Sequence, residues 1–145
     1  MPDPGSSSEA LVRITTAAEY GPNSNELVFA TLARTATPAP FSFLNVPGRG
    51  YRGLHLVIDC TAKAGAAPSV VFTIQGEDAA SGKFYTILAS AAIVAVGTTI
   101  LRVYPGLVAA ANVAANDVLP RSWRVIATHA NADSITYSVG ASVIG

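Results

Sequence analysis

Two runs within Leu54–Gly76, LHLVIDCTAKAGAAPSVVFTIQG, limit the possible folds more than any other stretch of this chain. In the first, Leu54, Leu56, Ile58 and Cys60 share one face, while His55, Val57, Asp59 and Thr61 share the other. In the second, Val70, Phe72 and Ile74 alternate with Val71, Thr73 and Gln75. Successive side chains on a strand point to opposite faces, so a period of two rich in Val, Ile and Phe predicts half-buried strands. Helical spacing would scatter the same residues around a cylinder.

The rest of the chain repeats this pattern between turn signals. Ala64–Pro68 is expected to close the two opening runs into a pair. Asp78-Ala79-Ala80-Ser81-Gly82 joins Val70–Glu77 to Lys83–Ala89 as a hairpin, with Gly82 free to take a left-handed conformation. Gly97 separates Ala91–Val96 from Thr98–Tyr104, and Pro105-Gly106 ends that run. Arg121–Ala130 and Ser134–Val143 read as a last hairpin around Asn131-Ala132-Asp133. Leu107–Asn116 has good helix formers weakened by Asn and Val, and reads as a loop or a single helical turn. Seven or eight strands over residues 51–145, with no internal repeat, predict an all-β antiparallel β-sandwich, Greek-key or jelly-roll in type. Leu56, Ile58, Phe72, Ile74, Val125, Tyr137 and Val139 are its expected core.

The N-terminal third reads differently. Residues 1–9 are small and polar, Ala10–Ala18 suits a short strand or arm, and Tyr20–Asn25 is a turn cluster. Leu27–Leu32 is a strand with both faces apolar, which calls for cover on both sides or an interface. Prolines at 38, 40 and 47 remove ladder donors and keep Ala33–Gly50 at a surface or an edge. Residues 1–50 are therefore expected to form an extended N-terminal arm and lead-in strand, with the sandwich domain at 51–145. Such an arm exposes Leu27, Phe29, Phe41, Phe43 and Leu44, and strand addition to a neighbouring chain, with Phe41 and Phe43 as anchors, is the expected way to bury them.

Charge sharpens that expectation. Only 12% of residues are charged, against about 25% in an average soluble domain. Burial against other subunits, making the protein a homo-oligomer, is the favoured reading over a surface of Ser, Thr, Asn and Ala. Nine basic and nine acidic residues cancel, so electrostatics argues for neither nucleic acid nor an anionic membrane as partner. The N-terminus lacks the charged and apolar regions of a signal peptide, and the longest apolar stretch, Ile87–Val96, is about half a membrane span. Synthesis in the cytoplasm follows as an expectation, with any exit from the cell by a route other than a leader of its own.

Catalytic patterns are sparse. His55 and His129 lie far apart and read as surface histidines, with Asp59 or Asp133 as conceivable partners. Cys60 falls on a core face, where a thiol is inert. There is no Gly-x-Ser-x-Gly elbow and no zinc-type Cys/His spacing. Asp78, Asp117 and Asp133 sit in turn segments without the dense acidic loop that calcium needs. Trp123 reads as core; sugar stacking would need it exposed beside a second aromatic. No cofactor, metal or catalytic residue is expected. Gly48–Gly53 places Arg49, Tyr51 and Arg52 either at a protein interface or in a turn leading into the first core strand.

GLHLVIDCTA, PSVVFTIQGEDAASGKFYTILASAAI, GTTILRVYPGL, NDVLPRSWRV and DSITYSVGASVIG, in that order over residues 53–145, resemble a group of small structural proteins of tailed bacteriophages. The resemblance implies a non-enzymatic β-sandwich component of the virion, foremost a capsid decoration protein. Its implied partners are the major capsid protein and further copies of itself, a trimer first, and its implied place is the capsid surface. A tail or baseplate component is the alternative within the virion. A carbohydrate-binding sandwich for host recognition is the alternative outside that class.

Overall fold

The structure is a computed structural model and describes residues 23–44 and 50–145. These form nine strands: β1 (Asn23–Arg34), β2 (Phe41–Leu44), β3 (Gly53–Ala64), β4 (Val70–Glu77), β5 (Phe84–Ala89), β6 (Gly97–Val103), β7 (Ala114–Ala115), β8 (Ser122–His129) and β9 (Ser134–Ile144). A five-stranded sheet of order β1-β9-β3-β6-β7 packs on a four-stranded sheet of order β2-β8-β4-β5. All pairings are antiparallel except the short β6–β7 pair. The chain is an all-β sandwich, as the period of two predicts. All seven expected core residues, from Leu56 to Val139, are 0% exposed.

The pairing differs from the sequence reading in two places. The opening runs are not a pair: β3 belongs to the larger sheet and β4 to the smaller. Likewise β8 and β9 do not form a hairpin but lie in opposite sheets. Both turns are arches that carry the chain across one end of the sandwich. Periodicity fixes which face of a strand is apolar, not which neighbour it bonds, and here the apolar faces meet across the core. The two arches are tied to each other. Asp133 accepts from the Ala67 amide at 2.8 Å, and the Asn131 side-chain amide donates to the Ala67 carbonyl at 2.8 Å. Gly65 sits there at φ 107°, and a Cβ on it would overlap the Asp133 side chain.

Among the described residues the one antiparallel hairpin is β4–β5. Its turn places Gly82 at φ 72°, and Asp78 accepts from the Ala80 and Ser81 amides and the Ser81 hydroxyl. The Ser81 hydroxyl, then the two amides, hold the Asp78 carboxyl below its usual range. Residues 91–96 do not form the expected strand; Ile93 alone bridges to Val70. The 107–116 segment is turns leading into β7, in line with a loop.

The expected boundary at residue 50 also moves. β1 runs beside β9 and β2 beside β8, so residues 23–44 belong to the sandwich. Asn23–Asn25, read as part of a turn cluster, open β1. Pro38 and Pro40 fall in the β1–β2 crossover, ahead of β2, and so cost no ladder bond. Phe41 and Phe43 point inward onto Trp123, with ring centroids 6.1 and 5.1 Å away. The doubly apolar look of Leu27–Leu32 has a local cause. Register shifts between Leu27 and Phe29 and between Phe29 and Leu32 break the alternation, so neighbours Val28 and Phe29 both enter the core. Arg34 then fills the irregularity, donating to the Ala30, Leu32 and Tyr137 carbonyls at 2.8, 3.2 and 3.1 Å.

Candidate functional site

Side chains able to do chemistry are dispersed. Cys60 is buried, and burial pushes its thiol pKa up, away from the reactive thiolate. His129 bonds to Tyr137, through Nε2 and the phenol at 3.0 Å, and to neither of the aspartates considered from the sequence. Burial raises the Tyr137 pKa to about 12, so its hydroxyl keeps its proton at neutral pH. Among the described residues no three His, Cys, Asp or Glu side chains lie close enough to hold a metal ion. Trp123 has no exposed surface on which a sugar ring could stack. Among them, too, no helix is long and apolar enough to cross a membrane.

What the fold does present is apolar surface. Leu27, at 69% exposure, and Leu32, at 59%, stand on β1, one lateral edge of the larger sheet. Val94 and Val96, at 54% and 60%, lead into β6 near the opposite edge. There β7 pairs only with Arg102 and Val103, leaving the first part of β6 uncovered. Val96, Val113 and their neighbours border an open groove of about 520 Å³. Exposed apolar side chains thus flank one sheet on both sides.

Between these edges lies a face of low relief. The inner strand β9 turns Thr136, Ser138, Gly140 and Ser142 outward, since their neighbours Ile135, Tyr137, Val139, Ala141 and Val143 fill the core. In register, Leu27, Gly140, Val57 and Ile100 form one row across β1, β9, β3 and β6. A groove of about 230 Å³ runs beside Gly140, between Glu26, His55 and Val57. A Cβ on Gly140 would meet nothing nearer than the Glu26 carbonyl oxygen at 4.0 Å, so the dip is open space.

The residues picked from sequence are not brought together. Leu27 is exposed, but Phe29 is a core residue whose ring meets Tyr137 edge-on at 6.3 Å. Phe41 and Phe43 are half-buried in their own sandwich, so they cannot anchor an arm on a neighbour. Tyr51 is buried, with no partner for its hydroxyl among the described residues. Arg52 is exposed, while its backbone accepts from the Leu119 amide and donates to the Ile144 carbonyl, each at 2.8 Å. Arg49 lies outside the described residues, as does the Ala10–Ala18 segment. Sequence reading missed the β9 face. Its signal is a run of small side chains at alternate positions, visible once β9 is known to be an inner strand. The chain matches no protein family model, and no curated protein sequence matches it.

Proposed function

We propose that this chain is a non-enzymatic structural protein of a tailed-phage virion, a decoration protein that binds the major capsid protein on the outer shell as a homotrimer. The sequence resemblance supplies the virion context. The observation that carries the assembly reading is the pair of apolar edges on one sheet, Leu27 and Leu32 against Val94 and Val96. Two unlike patches on opposite edges suit head-to-tail contact, which closes into a ring when the rotation per subunit allows. Each such side chain buried in full contributes about 1.5–3 kcal/mol. Several together are needed to offset the about 4–15 kcal/mol cost of association. The low-relief β9 face is then the surface left for the shell.

Gly140 makes that face testable without disturbing the fold. Its φ is not in the left-handed region and the space above it is open, so Gly140→Arg is expected to fold normally. The native protein should co-sediment with expanded empty shells, and Gly140→Arg should lose that binding by at least about tenfold, roughly 1.4 kcal/mol. A native protein that ignores shells but binds purified tails would overturn the capsid assignment. Equal shell binding by Gly140→Arg would move the docking surface off β9.

A further inference from the structure

At one end of the sandwich, four elements converge on a single histidine. His129 closes β8, and its backbone amide donates to Thr37 Oγ1, in the β1–β2 crossover, at 3.0 Å. Its Nε2 lies 3.0 Å from the Tyr137 hydroxyl of β9, with the two ring centroids 5.8 Å apart. Its other nitrogen, Nδ1, is buried and has no hydrogen-bond partner among the described residues. Above the far side of this group, the Arg34 guanidinium of β1 sits 4.5 Å from the Tyr137 ring centroid and 5.4 Å from that of Phe29. Arg34 is also the residue that fills the β1 irregularity.

This arrangement suits a neutral imidazole and is hostile to an imidazolium. Protonation puts an N–H on both ring nitrogens. Nε2–H can still donate to the phenol oxygen, but Nδ1–H has no acceptor, and a buried unpaired donor is costly. The added charge also faces a fixed cation. From β1 the facing group is the charged Arg34; from β9 it is Tyr137, whose phenol stays protonated and neutral; from β3, opposite Tyr137, it is the buried, neutral Cys60 thiol. β4 contributes Val70, which pairs with His129, and Phe72, whose ring packs on Tyr137; neither titrates. Asp133, in the nearby arch, is held by the Ala67 amide. Among the described residues nothing here offsets a second positive charge.

We propose that His129 is an acid-sensitive latch: protonation drives its ring off Tyr137, breaks the adjoining amide bond to Thr37 and frees residues 30–37, while the rest of both sheets stays paired. Burial, and after it the Arg34 charge, set the His129 pKa below its ordinary 6.5. A histidine depressed in this way binds its proton more readily when released. The stability it lends is therefore full above pH 6.5, the unfolded value, and is lost as pH falls through the lower folded value. The latched region includes Leu32, so its opening reshapes the exposed β1 edge.

Deuterium exchange on the full chain tests the latch. Rates for residues 30–37, corrected for intrinsic base catalysis, should rise about tenfold or more between about pH 7.5 and about pH 5, while the β4–β5 hairpin stays unchanged. His129→Gln, which keeps a hydrogen-bonding group toward Tyr137 but cannot titrate, should abolish that step. Flat rates in the native protein, or the same step in His129→Gln, would overturn the proposal. A ring-proton NMR titration of the native protein needs no variant. A His129 midpoint below 6.5 is expected, and one at or above that value also overturns the latch.

Discussion

A chain lacking residues 1–44 is expected to have no cooperative thermal transition and no near-ultraviolet circular dichroism from Trp123 and Tyr137. The truncation removes β1 and β2, which are the only neighbours on one side of β9 and β8. It strips Phe41 and Phe43 from Trp123 and takes Val28 and Phe29 out of the core. Full burial of each large apolar side chain is worth about 1.5–3 kcal/mol, and a domain's net stability is only about 5–15 kcal/mol. Losing four of them, with the backbone bonds of two strands, reaches that margin. The opposite result follows if these residues are a detachable arm: a truncated protein that melts cooperatively. That outcome would sink the placement of β1 and β2 in the sandwich.

The second large effect concerns assembly. Leu27→Asp alters the β1 edge and Val96→Asp the β6 edge, and both positions are exposed, so neither change should unfold the subunit. Burying an unpaired carboxylate in an apolar contact costs several kcal/mol, about 100-fold or more in affinity. If contacts run head to tail, the native protein is a trimer in native mass spectrometry and each variant alone is a monomer. Mixed in equal amounts, the two variants retain one intact edge each and form heterodimers that cannot close. Trimers regenerated by mixing would rule out a closed head-to-tail ring. Trimers of either variant alone would place the contact elsewhere.

How far the sequence foretells this molecule depends on the question asked of it. The inward face of β4 is legible residue by residue because Val70, Phe72, Ile74 and Gly76 alternate strictly with their neighbours. The partner of β4 is not legible, since an arch at Ala64–Pro68 and a hairpin there need the same small, turn-forming residues. β2 was hidden by its prolines, which mark the crossover before the strand. In β1 the irregular register sends Val28 and Phe29 inward together, and no simple period describes that. The outer face of β9 was written in small residues, which carry no signal until the strand is known to lie between β1 and β3. His129 and Tyr137 meet because β8 and β9 cross between sheets, so their bond depends on topology and not on their spacing.

That topology also decides when the molecule can exist at all. Of the antiparallel pairings among the described residues only β4–β5 joins strands adjacent in the chain, and β9, the last strand described, lies between β1, the first described, and β3. During synthesis β1 and β3 must wait for β9 with their inner edges unpaired, since neither bonds the other. Long-range pairings of this kind also slow folding, typically to milliseconds or seconds. A nascent chain stalled before Ser134 should therefore be digested by protease as an unfolded polypeptide, and extension through Ile144 should confer protection in one step. Protection that appeared gradually with length would mean that the smaller sheet folds by itself. On this design the ribosome makes nearly all of the sandwich before there is a fold to inspect.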